Sequence, residues 1–173
     1  MFILGHLGVT LAAFFLASLA IPSIRRRLDY RFIALGALLP DLIDKPVGRL
    51  LFAESVASGR LVAHTLVFVI VMFFVGYALY RLRGESRVVQ VAGACGLHLV
   101  EDRMWESPAT LLWPMLGWGF PEGNHYGSFL DYLLNITTLS YVPELSFVFV
   151  AEVFGVLVLG VMFVRYWWTL QGR

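Results

Sequence analysis

Two stretches of this chain, Phe2 to Ile21 and Leu61 to Tyr80, run for twenty residues each without a single Asp, Glu, Lys or Arg. A bilayer core about 30 Å thick takes roughly 20 apolar residues of helix to cross. Inside it every backbone polar group must be satisfied within the segment, so such a run becomes a helix. The first ends at Pro22 and the basic cluster Arg25 to Arg31, the second at Arg81-Leu82-Arg83. A third stretch, Tyr141 to Trp168, is long enough for a tilted span and carries Trp167 and Trp168 as interfacial anchors.

The remainder extends the same theme. The chain is 59% apolar and only 14% charged, against about a quarter charged in soluble proteins. Phe32 to Ile43 is apolar but short, with Pro40 near its end; Val88 to Val100 is apolar and then turns into Glu101-Asp102-Arg103. Both make membrane helices if their polar ends face protein or water. The expected fold is therefore all-α: a polytopic transmembrane bundle of about five membrane helices, residues 1–173 forming a single integral membrane domain. Between Met104 and Ser140, tryptophans and tyrosines alternate with Pro108, Pro114 and Pro121. The prolines argue against one continuous helix, and the aromatics suit a segment lying at the lipid–water boundary.

A net charge of +1 gives no reason to propose nucleic acid as a partner. The lone Cys95 excludes an internal disulfide and a cysteine-rich zinc site, and reads as a small packing residue. The positive cluster follows the first apolar run instead of preceding it, which is the pattern of an uncleaved, reverse-oriented anchor and not of a secretory signal. With the N-terminus outside, five spans put the 25–31 loop, the 81–87 loop and the C-terminal end in the cytoplasm. Those regions hold nine of the thirteen Lys and Arg residues, as the positive-inside rule asks.

On that topology the ionisable residues collect at the outer face. His6 lies near the outer end of helix one, Asp41 and Asp44 end helix two, and His64 opens helix three. His98 and Asp102 lie toward the outer end of helix four, and His125 sits in the aromatic loop. Intramembrane ionisable groups are costly and are functional candidates by default. His98 and Asp102, at i and i+4, share a helix face, where an imidazole nitrogen and a carboxylate oxygen can bind one divalent cation. Asp41 and Asp44, at i and i+3, also share a face. The bland alternatives are a helix-stabilising His–Asp pair and helix-ending solvation. His6 stands in an apolar helix, where a lone imidazole needs a partner. Arg60, one turn before His64, could hold an anionic substrate group or snorkel to headgroups. Glu152 could face the bundle near the interface, and Glu101, Glu106 and Glu122 read as solvated or outer groups.

Mixed imidazole and carboxylate donors suit zinc, with manganese or iron as alternatives. His6, Asp41, Asp44, His64, His98 and Asp102 exceed what one tetrahedral ion needs, so one or two ions are expected. Two-metal sites clamp phosphoesters during hydrolysis. Asp44 and Asp102 would serve as proton-handling carboxylates and Arg60 or Arg103 as phosphate holders. No nucleophile elbow, phosphate-binding Walker loop or H-E-x-x-H motif is present in the sequence.

At these residues the sequence resembles the YdjM-type family of LexA-regulated, inner-membrane, metal-dependent hydrolases. The likeness runs through Gly5-His6, Gly36-Ala37-Leu38-Leu39-Pro40-Asp41, Arg60 with Ala63-His64-Thr65, and Leu97-His98-Leu99-Val100-Glu101-Asp102 to Leu111-Leu112-Trp113-Pro114. Two departures stand out. The first histidine of the family's His-Arg-Gly-x-Thr-His-Ser pattern is Gly59 here, and the second carboxylate after Pro-Asp comes one residue late, at Asp44. The ligand order also resembles, distantly, that of zinc-dependent phospholipase C and P1-type nucleases. These resemblances imply metal-dependent hydrolysis; spacing and topology by themselves imply a metal site. The expected protein is a hydrolase of the inner membrane, cleaving a lipid or lipid-linked phosphoester at the extracytoplasmic face, with the aromatic segment shaping its entrance. A metal-binding transporter and a bundle stapled by a structural metal are the rival readings. Apolar inner halves of helices one, three and five speak against a transport path.

Overall fold

The computed structural model describes residues 1–142 and 146–171. Among these residues the chain is all helix and loop, with no strand. In chain order come α1 (Ile3–Ala20), the short α2 (Pro22–Arg25), α3 (Tyr30–Pro46), α4 (Leu66–Arg83), α5 (Arg87–Glu101), the short α6 (Pro108–Leu111), α7 (Phe129–Tyr141) and α8 (Phe147–Gln171). A π-helical turn, Val47–Leu51, extends α3, and 3-10 turns occupy Val62–His64 and Met104–Glu106.

Among the described residues three helices, not five, are long and apolar enough to cross a membrane: α1, α4 and α8. The expectation of five spans is corrected by α3 and α5, which are 17 and 15 residues long. At 1.5 Å per residue they reach about 22–26 Å, short of the hydrocarbon thickness. Both are also the polar helices of the set, α3 through Asp41 and Asp44 and α5 through Gln90, His98 and Glu101, all of them buried. Protein covers these two helices. α5 packs against α3 on one side and α4 on another, and α1 packs against α3 and α8.

Small residues allow those packings. A Cβ on Gly8 of α1 would lie 2.2 Å from Gly155 Cα of α8, so the two backbones touch where they cross. Gly36 of α3 is pressed in the same way onto Val91 and Ala94 of α5. Cys95 is fully buried beside it and donates its S–H to the Gly36 carbonyl at 3.3 Å, which is the packing role expected of it.

Two helix starts depend on distant carboxylates. An α-helix leaves its first N–H groups without intrahelical acceptors. For α1 the acceptor is Glu152, buried in α8, which takes hydrogen bonds from the Phe2, Leu4 and Gly5 amides at 2.9–3.1 Å. The Tyr141 hydroxyl donates to the same carboxylate. For the segment entering α4, the acceptor is Asp44. Its hold on the amides at 61, 63 and 64 keeps Leu61 to His64 out of the helix, so α4 starts at Leu66 under the Thr65 cap, which accepts from Phe68 N.

The aromatic segment is broken as its prolines require, but only as far as Gly127. Ser128 then caps α7, a thirteen-residue helix where the sequence suggested irregular structure. Trp118 at 79% exposure and the neighbouring Met115 and Leu116 project from the loop before it. Residues 143–145 of the third expected span, and Arg173, lie outside the described residues.

The long helices alternate in direction, α1, α4 and α8 running one way and α3 and α5 the other. The arginines 25–27, 31, 81, 83, 87 and 165 gather at one end of the bundle, where Gln90 accepts from Asp29 N and donates to Arg27 O, and Arg27 reaches the Tyr80 hydroxyl. The starts of α1, α4 and α8 and the ends of α3 and α5 form the opposite end.

Candidate metal centre

That opposite end holds a buried cluster. His6, His64 and His98 are fully inaccessible, and Asp41, Asp44 and Glu101 are buried around them. The His6 and His98 rings stack at 4.0 Å between centroids, with His64 edge-on to His98 at 5.2 Å. Three separate elements thus deliver one imidazole each, and Asp102 joins from the residue that ends α5.

Each ring is held by its Nδ1. His64 Nδ1 lies 2.8 Å from Asp44 Oδ2, His98 Nδ1 2.7 Å from the Ala37 carbonyl, and His6 Nδ1 2.7 Å from Glu101 Oε2. A carbonyl or carboxylate can only accept, so these partners assign the proton to Nδ1 in all three rings. In the neutral rings the Nε2 atoms then present lone pairs. They point inward: His64 Nε2 and His98 Nε2 are 3.3 Å apart. His6 Nε2 is buried without a hydrogen-bond partner, although Asp102 Oδ1 is 3.2 Å away. Asp41 Oδ1 lies 3.6 Å from His64 Nε2 and 3.9 Å from His98 Nε2. Asp102 Oδ2 lies 3.8 Å from His64 Nε2.

Among the described residues two groups could hold a metal ion: His6, His98 and Asp102, and Asp41, His64 and His98, with the donor atoms of each within 4.8 Å of one another. The donors fit such an ion. Two lone pairs facing each other repel unless a cation lies between them. Zinc bonds of about 2.0–2.1 Å in tetrahedral geometry place neighbouring ligands about 3.3 Å apart, which is the His64–His98 separation. Anchoring an imidazole through its far nitrogen is also how metal-binding histidines are oriented. Both groups include His98, whose single Nε2 lone pair serves one ion.

Of the expected residues, the structure brings His6, Asp41, His64, His98 and Asp102 together. Asp44 is close but differently placed. It sits on the Nδ1 side of His64 and accepts four hydrogen bonds, from the amides of Leu61 (2.6 Å), Ala63 (3.0 Å) and His64 (3.0 Å) and from His64 Nδ1. Asp41 and Asp44, three residues apart on α3, meet different ring nitrogens of His64, Nε2 and Nδ1 respectively. Arg60, expected on a helix, lies ahead of the 3-10 turn and places Nη2 3.1 Å from Asp102 Oδ2. The Met1 nitrogen lies 2.6 Å from Asp102 Oδ1, and Lys45 Nζ lies 2.5 Å from Asp41 Oδ2. Arg103 pairs with Glu106 and lines a separate groove beside Val100 and Phe154. His125 is exposed and belongs to neither donor group. Glu122 is exposed, and Glu152 serves α1.

Two residues, Thr10 and Lys45, escaped the sequence reading. Glu101, read as a solvated or outer group, is buried and takes the outer role: it links His6 Nδ1 to the Thr10 hydroxyl (2.8 Å). Thr10, one turn from His6 on α1, was the available signal: two polar residues at i, i+4 on an otherwise apolar helix share a face. Lys45, one turn after Asp41, gave the same kind of signal.

Fold and site together define a helical integral membrane protein with a buried His/Asp cluster at one end of its bundle. The family model described as YdjM inner membrane protein matches residues 1–170, and the chain belongs to that family. No curated protein and no solved structure matches it.

Proposed function

We propose that this protein is a metal-dependent hydrolase that cleaves a phosphoester of a membrane lipid or lipid-linked molecule at the extracytoplasmic face. The observation carrying the metal reading is the pair of inward-facing Nε2 atoms of His64 and His98, 3.3 Å apart with both Nδ1 atoms engaged elsewhere. His6, Asp41, His64, His98 and Asp102 would hold the ion, zinc being the best match to the donors.

When bound, a divalent ion supplies Lewis-acid polarisation of the phosphoryl group and of the attacking water. The chain does the rest. Asp44, Glu101 and the Ala37 carbonyl fix the rings. Asp44 acts by positioning, since its oxygens are committed to four donors. Asp41 and Asp102 border a polar cavity of about 340 Å³ that Lys45, Arg49 and Arg60 also line. These two carboxylates are placed to take a proton from water, and Arg60 is placed to hold an anionic oxygen. That open cavity favours a reactive centre over a sealed structural one. The arginine-rich end, opposite the cluster, would face the cytoplasm by the positive-inside rule, and the cluster would then lie outside.

Metal analysis of detergent-purified wild type, His64→Ala and Asp102→Ala, with phosphoester turnover assayed on each, tests the reading. Stoichiometric metal and turnover in the wild type alone are expected. Metal without turnover on any lipid phosphate points to a structural ion, and metal flux in proteoliposomes points to transport.

A further inference from the structure

The polar cavity beside the cluster does not end in polar walls. A second, apolar cleft of about 190 Å³ runs between α1, α3 and α7, lined by Phe2, Leu38, Leu42, Phe129, Leu133 and Ile136 among others. The two spaces share Asp41, Lys45, Tyr132 and Ile136 as lining residues. A cationic chamber therefore continues directly into a hydrocarbon-lined slot, and the junction lies at a carboxylate of the candidate metal centre.

The chamber is prepared for an anion. Arg49 is held over the rings of Tyr132 and Tyr126, at 4.5 and 5.1 Å from their centroids, and donates Nη1–H to the Asn124 carbonyl. Its Nε–H is buried and has no acceptor among the described residues. An unpaired buried donor is costly, so this one calls for an acceptor from a ligand. Lys45 and Arg60 stand on the same chamber, each beside one carboxylate of the cluster. Three cations with one unspent donor suit a phosphate group.

We infer that the substrate is an amphiphile taken in sideways from the bilayer, its phosphate head in the Lys45–Arg49–Arg60 chamber and one hydrocarbon tail in the cleft between α3 and α7. The inference rests on the hydrolase reading for the cleavage step but not for binding. A tail passing from lipid into an apolar cleft gains little from the hydrophobic effect, because both surroundings are apolar. The cleft is thus a track that admits and aligns the tail, and blocking it excludes lipid substrates while sparing small anions.

The test uses full-length protein in lipid nanodiscs and two probes, inorganic phosphate and hexadecylphosphonate, with binding measured by calorimetry. Leu133→Trp fills the cleft from α7 and Leu42→Trp fills it from α3; the two residues are 38% and 58% exposed and line the cleft but not the chamber, so the variants add bulk without disturbing a core. Both are expected to weaken hexadecylphosphonate about tenfold or more, a loss of about 1.4 kcal/mol, and to leave inorganic phosphate binding unchanged, which also shows that they fold. Arg49→Gln is expected to weaken both probes. Unchanged hexadecylphosphonate binding in Leu133→Trp, or equal loss of both probes in it, overturns the inference. Turnover is scored separately: tail-dependent binding without cleavage removes the hydrolase reading and leaves the amphiphile site standing.

Discussion

The two ends of this bundle handle charge in opposite ways. At the arginine end, charged groups stay in solvent and pair locally: Arg31 with Asp29, Arg87 with Glu85. Ion pairs of that kind contribute little, because water already solvates both members. At the other end three imidazoles and the carboxylates of Asp41, Asp44, Glu101, Asp102 and Glu152 are withdrawn from water. Each such withdrawal costs several kcal/mol unless partners replace the lost hydration. Here they largely do, through Lys45, Arg60, Thr10 and a set of backbone amides. What stays uncompensated is informative. Among the described residues His6 Nε2 and the Arg49 Nε–H are the buried side-chain atoms without a hydrogen-bond partner, and they belong to the candidate centre and its chamber.

The sharpest way to break that comparison is to remove metal. Zinc bound with free metal about a thousandfold above its Kd would add about 4 kcal/mol to stability. Chelation should therefore lower the thermal midpoint of the wild type markedly, followed by circular dichroism in detergent. His98→Ala, which removes the ligand common to both donor groups, should show no chelator-dependent shift. An equal shift in that variant would mean that the metal sits elsewhere.

The next effect concerns Asp44. Asp44→Asn keeps the shape but replaces an oxygen acceptor by an amide that cannot accept from all four donors. Metal affinity should fall about 10–100-fold, as for other groups that orient metal-binding histidines, in a protein that still folds. Competition against a chelating dye reads this directly. Unchanged affinity would remove the positioning role assigned to Asp44.

How much of this could be read from residues alone follows the same division. The apolar runs announced α1, α4 and α8, because a span is a local property of composition. Whether α3 and α5 cross was not local: it depended on which neighbours cover Asp41, His98 and Glu101, and short polar helices wrapped in protein look much like short spans. The convergence of His6, His64 and His98 was legible because helix polarity forces ends together. The distinct duties of Asp41 and Asp44 were not, since i, i+3 spacing says which face two residues share and nothing about the turn at Leu61 that fills one of them. α7 was hidden by the prolines that precede it.

A smaller change tests the scaffold that carries His6. Ala is the better helix former, yet Gly8→Ala would drive a methyl into Gly155, an overpacking that costs about 1–3 kcal/mol. It should also weaken metal binding, because α1 shifts with its histidine. Gly160→Ala, on the same face-to-face pair of helices but with nothing within 4 Å of the added Cβ, should stay within about 0.5 kcal/mol of wild type. Similar melting of the two variants would show that the α1–α8 crossing is looser than it looks.

The smallest expected effect lies at the arginine end. Asp29 caps α3 by accepting from Arg31 N, and its carboxylate also takes Arg31 Nε and Nη2 at 3.0 and 2.8 Å. The hydrogen bonds from the Arg31 side chain hold the Asp29 carboxyl down from 3.8 to about 2. Asn caps a helix as well as Asp does, so Asp29→Asn isolates the charge. A carboxyl depressed by folding stabilises the native state above its unfolded pKa and loses that contribution as pH falls through the folded value. The melting difference between wild type and Asp29→Asn should accordingly be slight at pH 7, shrink between pH 4 and 2, and shrink also with added salt. A difference at pH 7 rivalling that of Gly8→Ala would overturn the contrast between the two ends, because it would make a solvated pair as important as a buried contact.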